Sequence, residues 1–225
     1  MDKSLEAIVQ STESWLANPV QKDIEGALQT SRELVVDLVA LIKEENAPKQ
    51  QIGPLLAKVK GTKKAIENLE MMNWVELGGG HLAIGHRPST KMGIDLKLQN
   101  ATHILTLLSE GEQAKTIRSI AIKNSLGWLW FPMESAQPPV EGRYQELAEL
   151  FKSMQAILDE GGKIYLHCSA GIHRTGMIGF AFLRFLGKDA SQSMEMLKAL
   201  RVKTSEEVGD ERVAWGNDYA KLFKN

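Results

Sequence analysis

The 225-residue chain is 43% hydrophobic and 24% charged, with a formal net charge of −1 at pH 7. This length suits one sizeable domain or a domain with an appendage, and the near-neutral charge argues against bulk electrostatic binding of nucleic acid or acidic membranes. The first ten residues lack the apolar core of a signal peptide, no apolar run is long enough to span a bilayer, and a single cysteine excludes an internal disulfide. We therefore expect a cytoplasmic protein with neither a membrane nor a nucleic-acid partner.

The first third of the chain is predicted to be helical. A short amphipathic segment, Leu5 to Leu16, precedes two apolar stripes that have the spacing of one helix face. The first stripe runs from Leu28 to Ile42 and the second from Ile52 to Leu69, with an interruption at residues 46–48. These stripes predict a helical hairpin within an N-terminal helical region, residues 1–74. Because apolar stripes need burial, this region is also a candidate surface for a protein partner.

The pattern changes after Gly78-Gly79-Gly80, which we interpret as a flexible linker. The segments with strand-like composition are His81–Ile84, His103–Leu108, Ser119–Ile122, Leu126–Phe131 and Lys163–His167. The helix-like stretches are Glu141–Leu158, Thr175–Leu186 and Ser191–Leu200. Strands that alternate with helices predict an α/β domain over residues 75–225, with helices on the faces of one sheet.

Neither a cofactor nor a metal is predicted. The three glycines fit a dinucleotide-binding pattern, but they precede a predicted strand instead of following one into a helix. The five histidines are scattered along the chain, and His81 with His86 is a poor metal-binding pair without a nearby carboxylate or thiol.

The stretch His167–Gly176, HCSAGIHRTG, contains the only cysteine of the chain. It connects a short predicted strand to an apolar predicted helix, so the residues from Cys168 to Arg174 should form a tight loop. Backbone N–H groups in such a loop converge at the positive end of the helix dipole and create an anion site. The same donors should lower the pKa of the Cys168 thiol and make it nucleophilic near neutral pH.

The side chains around this cysteine suit phosphate chemistry. Gly171 permits the backbone reversal that turns the amides inward, and Arg174 can donate two parallel N–H bonds to a bound phosphate. The Thr175 hydroxyl can stabilise the thiolate of Cys168 when an intermediate breaks down. The predicted phosphate-binding residues are Ser169, Ala170, Gly171, Ile172, His173 and Arg174. Together these residues predict phosphoryl transfer through a cysteinyl-phosphate, with Cys168, Arg174 and Thr175 as catalytic residues.

The pattern His167-Cys168-x-x-Gly171-x-x-Arg174-Thr175-Gly176 resembles the signature of the cysteine-based protein tyrosine and dual-specificity phosphatases. The resemblance covers residue 80 to the C-terminus, about the size of a compact dual-specificity catalytic domain. "HLAIGHRP" is similar to the first strand and following turn of that family, and "THILTLL" to its next core strand. It implies a central mixed sheet flanked by helices, no cofactor, and a phosphorylated protein or a small phosphomonoester as substrate. The helical first third has no counterpart in the minimal family domain.

The general acid departs from the family pattern. The family carries an aspartate in a segment resembling F-P-x-x-D-x-x-x-P, and the similar segment here, Phe131–Pro139, has Ser135 at the aspartate position. Serine does not donate a proton usefully at neutral pH, so Glu134 is the candidate general acid and Glu141 a more distant one. The alternative interpretation of Glu134 is a solvated loop carboxylate.

A second loosely matching segment lies nearer the C-terminus. Residues 201–212 fall where the family places a loop that orients the hydrolytic water, although no obvious glutamine is present. Thr204, Asp210 or Arg212 could contact the site there, or they could serve as helix caps.

Two classes of function fit these observations. The first is an enzyme, a protein tyrosine or dual-specificity phosphatase; phosphoinositide or RNA 5′-phosphate substrates are alternatives, although the loop interior has no lysine to bind a polyanion. The second is a pseudophosphatase, a phosphate-binding adaptor without turnover. Ser135 favours the adaptor, whereas Cys168 together with Arg174 and Thr175 favours the enzyme.

Overall fold

The structure, a computed structural model, describes residues 4–20, 24–44, 47–67, 69 and 71–223. The chain divides into two compact units: Met1–Met71 together with Leu98–Asn100, and Met72–Lys97 together with Ala101–Asn225. Among the described residues, no helix has both the length and the apolar content that crossing a bilayer requires.

The described residues of the first unit form the helices α1 (Leu5–Ala17), α2 (Ile24–Lys43) and α3 (Lys49–Glu67). Their apolar faces meet in one buried cluster, in which Leu38, Ile52 and Val59 have no solvent exposure. The two predicted stripes are thus the buried faces of α2 and α3. The predicted interruption at residues 46–48 falls between these helices, and Asn46 lies outside the described residues.

The second unit is an α/β fold around a five-stranded sheet. Its strands are β1 (Val75–Leu77), β2 (Gly80–Gly85), β3 (His103–Leu108), β4 (Gly127–Met133) and β5 (Lys163–His167). Its helices are α4 (Thr90–Leu98), α5 (Ala114–Lys123), α6 (Tyr144–Asp159), α7 (His173–Phe185), α8 (Ala190–Leu200), α9 (Val202–Glu207) and α10 (Asp210–Lys221). A 3₁₀ turn, Glu141–Arg143, precedes α6.

The sheet is mixed, with the strand order β1-β2-β5-β3-β4. β1 pairs antiparallel with β2, whereas β2, β5, β3 and β4 are parallel. The predicted mixed sheet flanked by helices is therefore confirmed. β5 lies at the centre of the sheet, so the residue that follows it, Cys168, emerges at the middle of one sheet edge.

Both faces of the sheet are covered, as is usual for parallel strands. Alternate side chains along β3 and β5 point to opposite faces. Leu105 and Leu166 join the cluster formed with α6, α7, α8 and α10, while Ile104 and Tyr165 join the cluster formed with α4 and α5. These two clusters pack against β5 from both sides, and Cys168 belongs to the first of them.

The predicted strand Ser119–Ile122 is wrong, because these residues lie in α5. Ile117, Ile120 and Ala121 are buried at the i, i+3, i+4 spacing of a helix face, so tertiary burial decides the structure over the β-branched composition.

The interpretation of Gly78-Gly79-Gly80 as a flexible linker is also wrong, because Gly78 and Gly79 form the turn of the β1–β2 hairpin and Gly80 is the first residue of β2. Gly78 has a φ of +65°, which only glycine adopts readily. A Cβ atom at Gly80 would overlap the carbonyl oxygen of Gly162 and lie 2.8 Å from that of Leu158. Gly78 is therefore required by its backbone conformation, and Gly80 by the backbone packed against it.

Replacing Gly80 with alanine tests this packing. We expect Gly80→Ala to lower the free energy of unfolding by about 1–3 kcal/mol, because the clashing atoms are backbone atoms that cannot move away cheaply. The matched control is Gly142→Ala, since no atom lies within 4 Å of a Cβ built there. Urea unfolding followed by tryptophan fluorescence measures both variants. If Gly80→Ala and Gly142→Ala had the same urea midpoint of unfolding, the packing around Gly80 would not be needed for stability, as expected of a linker.

Candidate active site

The candidate site lies where the parallel strands end. Cys168 follows β5, Glu134 follows β4, His86 follows β2, and the loop that contains Glu112 follows β3. Because parallel strands end at the same edge of a sheet, these four segments lie together at one edge. The predicted residues Cys168 to Thr175 are thus joined there by loops far from them in the sequence.

The carbonyl groups of the cysteine loop are held outward by donors from other elements. The backbone N–H of Arg87 donates to Ser169 O at 2.9 Å, and Arg201 Nη1 donates to Ala170 O at 3.0 Å. Gly171 O accepts from Arg201 Nη1 at 2.8 Å and from the Thr204 hydroxyl at 2.6 Å. Since the N–H and C=O of one trans peptide point in opposite directions, the amides that follow these carbonyls face the interior of the loop.

Gly171 brings this loop against β2. Its φ is +71°, and a Cβ atom there would overlap the backbone carbonyl of Gly85 and lie 2.6 Å from the nitrogen of His86. Its own N–H donates to the Cys168 sulfur at 3.2 Å. The predicted role of Gly171 in backbone reversal therefore has a steric cause as well.

The surroundings of Cys168 favour its thiolate. The side chain is only 4% exposed, and burial alone would raise the pKa of the thiol. Hydrogen bonds from the Thr175 hydroxyl and from the backbone amides of Thr175, Gly171 and Ile172 outweigh burial and lower the pKa of Cys168 below its ordinary value. A hydrogen bond to a charged group contributes about 1.5–3 kcal/mol, so several donors suffice to reverse the sign.

Thr175 has no competing use for its hydroxyl. The oxygen is buried and makes no hydrogen bond of standard geometry to any residue in the described ranges. It nevertheless acts on the Cys168 sulfur strongly enough to lower the pKa of the thiol. We take the sulfur as its partner, because an unpaired buried hydroxyl costs about 1–3 kcal/mol and no other acceptor satisfies it.

Arg174 is oriented by a carboxylate that the sequence analysis missed. Its Nη1 and Nη2 atoms donate to the two carboxylate oxygens of Glu112 at 2.6 and 2.7 Å. Nη1 also donates to Met133 O at 2.8 Å. The Ser109 backbone N–H donates to Glu112 at 3.0 Å. The only sequence signal for this residue is the acidic segment Ser109-Glu110-Gly111-Glu112 directly after a predicted strand.

These contacts determine which edge of Arg174 faces the site. A guanidinium has five N–H donors, and the bonds to Glu112 and Met133 occupy three of them. The remaining pair, Nε–H and the second Nη2–H, is a parallel donor pair, and the guanidinium as a whole interacts with the Cys168 side chain. Such a parallel pair can donate to two oxygens of one phosphate group.

The segment after β4 contains Glu134, whose carboxylate is exposed, whereas Cys168 and Thr175 are buried. Glu134 directly follows the last residue of β4, and Glu141 begins the 3₁₀ turn before α6. The Ser135 hydroxyl accepts a hydrogen bond from Gln137 N at 3.2 Å, so this serine stabilises the turn. Arg212 anchors the same segment through a 2.7 Å bond from its Nε to Ala136 O. The role of Glu134 as an acid remains a prediction.

The other residues of the predicted phosphate-binding set surround these groups. Ile172 precedes α7 and is buried, while Ser169, Ala170 and His173 are exposed at the rim of the loop. Within the described ranges, no group of three or more histidine, cysteine or acidic side chains is arranged to hold a metal ion.

The chain matches no family model and no curated protein sequence. Solved structures do match it. Kinase associated phosphatase (KAP), with its catalytic-site cysteine replaced by serine, is 14% identical and superimposes with a TM-score of 0.58 over 69% of this chain and 96% of its own. Tk-PTP in the active form is 17% identical, with a TM-score of 0.54 over 65% and 95%. PTPMT1 in complex with PI(5)P is 16% identical, with a TM-score of 0.51 over 67% and 96%.

The fold is that of the cysteine-based phosphatases. The resemblance that the HCSAGIHRTG stretch indicated is therefore confirmed at the level of fold. Cys168 directly follows β5, which lies between β2 and β3 in the parallel part of the sheet.

The Thr175 hydroxyl gives the first test of the site. We expect Thr175→Val to raise the pKa of Cys168 by about one unit, because a hydrogen bond to a charged group is lost while the side-chain shape is kept. The rate of iodoacetamide alkylation as a function of pH measures this pKa, since Cys168 is the only thiol. Thr116→Val, at an exposed position of α5, serves as the control. An unchanged alkylation profile in Thr175→Val would exclude the hydroxyl as a thiolate donor.

The Glu112–Arg174 pair gives a test of stability against pH. The hydrogen bond from Arg174 lowers the pKa of Glu112 from 4.5 to about 2, despite partial desolvation. A carboxyl whose pKa is lower in the folded state stabilises that state above pH 4.5 and loses this effect as the pH falls toward 2. Wild type should therefore be more stable than Glu112→Gln at pH 7, and the difference should shrink steadily below pH 4.5.

Urea unfolding at a series of pH values measures this difference. The control is Glu146→Gln, because Glu146 pairs with Arg143 on an exposed surface where ion pairs contribute about 0–1 kcal/mol. A Glu112→Gln difference that is independent of pH would show that the carboxylate is not held by Arg174 in solution.

Proposed function

We propose that the protein is a phosphomonoester hydrolase that forms a cysteinyl-phosphate on Cys168. The observation that carries this proposal is a nearly buried thiol whose pKa is lowered by inward-facing amides, with an oriented arginine beside it. Pure phosphate binding requires the amides and the arginine but not a nucleophile.

In the first step the Cys168 thiolate attacks the phosphorus, so the S–P bond forms as the bond from phosphorus to the leaving oxygen breaks. The inward amides and the Nε–H and Nη2–H donors of Arg174 bind the three nonbridging oxygens. Because these donors are already fixed by Glu112 and by the outward carbonyl groups, they stabilise the charge of the transition state without reorganising. The leaving oxygen takes its proton from an acid, for which Glu134 is the candidate.

In the second step water attacks the phosphorus of the intermediate. The O–P bond forms, the S–P bond breaks, and Cys168 leaves as a thiolate that the Thr175 hydroxyl stabilises. The proton of the attacking water passes to the carboxylate that gave up its proton in the first step, and inorganic phosphate leaves. Both steps use groups present in the chain and need no cofactor.

We infer that aryl phosphates, such as phosphotyrosine side chains, are the preferred substrates. Serine occupies the usual aspartate position and the nearby Glu134 is exposed. Weak acid catalysis penalises an alkoxide leaving group far more than a phenolate, which departs with little proton assistance. This argument favours a protein tyrosine phosphatase. A reducing compartment such as the cytoplasm suits a thiol that must stay unoxidised.

A phosphoinositide is the second candidate substrate. The observation that favours it is the similarity in fold to PTPMT1, which was solved in complex with PI(5)P. An inositol phosphate is an alkyl ester, so turnover of PI(5)P at a rate comparable with phosphotyrosine would favour this candidate and would also demand an efficient acid. Binding of orthovanadate without turnover of any ester would favour the adaptor.

Substitutions in the loop test the nucleophile and the anion site separately. Cys168→Ser should lose all turnover of an aryl phosphate. It should keep its affinity for sulfate, an unreactive analogue of phosphate, because the amides and Arg174 remain. Arg174→Lys should lose about 10²–10³-fold in rate, because an ammonium cannot replace the bidentate pair. Residual turnover above a few per cent in Cys168→Ser would place the nucleophile elsewhere.

The missing aspartate is tested with one aryl and one alkyl phosphate. If Glu134 is the general acid, Glu134→Gln should slow the alkyl substrate by about 10²-fold or more and the aryl substrate much less, because a general acid contributes about 10²–10⁴-fold. The basic limb of the pH–rate profile should also flatten. If acid catalysis has been lost instead, Glu134→Gln will change neither substrate and Ser135→Asp will raise the alkyl rate. That second pattern would overturn the assignment of Glu134.

A further inference from the structure

A chain of three hydrogen bonds crosses the sheet on the face covered by α4 and α5 and ends at the cysteine loop. Trp128 Nε1 in β4 lies 2.9 Å from the hydroxyl of Thr106 in β3. That hydroxyl lies 3.0 Å from Nε2 of His167, the last residue of β5. His167 Nδ1 lies 2.9 Å from the carbonyl oxygen of Cys168.

The chemistry of its two ends determines the direction of this chain. An indole nitrogen can only donate a hydrogen bond and a carbonyl oxygen can only accept one. The Trp128 indole therefore donates to the Thr106 oxygen, and the Thr106 proton is directed to His167 Nε2. His167 carries its own proton on Nδ1, which donates to Cys168 O. This placement of the protons is the one that gives every donor and acceptor in the chain a hydrogen-bond partner.

The histidine stays neutral throughout the range in which a phosphatase works. His167 and Thr106 have no solvent exposure. Burial lowers the pKa of His167 to about 4, the bond to Cys168 O opposes this, and the charges of Arg87, His86 and Arg174 lower it further. A neutral imidazole has one donor nitrogen and one acceptor nitrogen, as the chain requires.

We propose that Trp128 and Thr106 are positioning residues that act through His167 to hold the Cys168 carbonyl away from the anion site. The proposal rests on the proposed function, because it explains how the first amide of the loop is aimed. Cys168 O and the N–H of Ser169 belong to the same trans peptide, so fixing the carbonyl on the His167 side points that N–H toward the bound anion. The neighbouring carbonyls are held by other donors, whereas this one is held from within the sheet.

Trp130 provides a matched control for Trp128. Both indoles lie on β4, their rings stack at 5.4 Å, and both are half-buried. Trp130 Nε1, however, donates to the carbonyl oxygen of Leu108 at 2.8 Å and takes no part in the chain. A phenylalanine at either position removes one indole donor and a similar amount of packing, but only Trp128→Phe interrupts the chain.

The first measurement is of the His167 ring in the wild-type full chain. Imidazole nitrogen NMR, assigned with His167→Asn, should show a proton on Nδ1 and a hydrogen-bonded, unprotonated Nε2 at pH 7. The Nε2 signal should move toward that of an unbonded nitrogen in Trp128→Phe, and should not move in Trp130→Phe. A proton on Nε2 in the wild type, or equal signals in the two variants, would overturn the proposal whether or not the variants are fully stable.

The second measurement is the pKa of Cys168 from the pH dependence of iodoacetamide alkylation. Trp128→Phe should raise it by about half a unit and Thr106→Val by about one unit, which is a tenfold loss of thiolate below the pKa. Thr106→Ser should restore the wild-type value because it keeps the hydroxyl, and Trp130→Phe should leave it unchanged. Identical alkylation profiles for Trp128→Phe and Trp130→Phe would show that the chain is only structural.

Neither measurement depends on turnover. A wild type without phosphatase activity that shows the predicted His167 state and alkylation shifts would contradict the proposed function but not the positioning role. An active enzyme without those shifts would contradict only the positioning role.

Discussion

The outward orientation of consecutive carbonyl groups in the cysteine loop is the constraint on which the site depends. A loop of this length could equally present its carbonyl oxygens inward, where they would repel both a thiolate and a phosphate. Donors from the segment after β2, from Arg201 and from Thr204 hold Ser169 O, Ala170 O and Gly171 O outward. Each such bond contributes about 0.5–3 kcal/mol, so together they make the inward-amide conformation the stable one before any ligand binds.

Electrostatics explains why the loop needs a carboxylate from a segment far away in the sequence. Arg174 is a partly buried cation next to a thiolate, and without a partner its guanidinium would carry a desolvation penalty. Glu112 pairs with the Nη1–Nη2 edge and leaves the Nε–Nη2 edge for the substrate. The arginine is thereby fixed in advance, so the binding energy of the phosphate is not consumed in ordering a long flexible side chain.

Most of the site core could be predicted from sequence because it is local. Cys168, Gly171, Arg174 and Thr175 lie within eight residues, and the strand before them and the helix after them have clear apolar patterns. β3 and β5 were predicted with the observed bounds for the same reason, since buried parallel strands are continuous apolar runs.

What could not be predicted depends on contacts between distant segments. Glu112 is one of many carboxylates in the sequence, and only the parallel arrangement of β3 beside β5 brings it to Arg174. The Trp128–Thr106–His167 chain likewise requires the register of three strands. Part of α5 was mistaken for a strand because the isoleucine spacing there fits both a helix and a strand over a few residues. The three glycines at the β1–β2 hairpin were mistaken for a linker because the packing of Gly80 against Gly162 is not local in the sequence.

The central claim is that a thiolate held by the loop takes up the phosphoryl group. The most direct test is rapid mixing of the wild-type protein with an aryl phosphate, followed by acid quench and mass spectrometry of the peptide that contains Cys168. We predict a peptide heavier by one phosphoryl group, with the modification on the sulfur of Cys168, formed as fast as the first equivalent of phenol is released. Release of phenol with no phosphoryl group on Cys168, or with the group on another residue, would contradict the account.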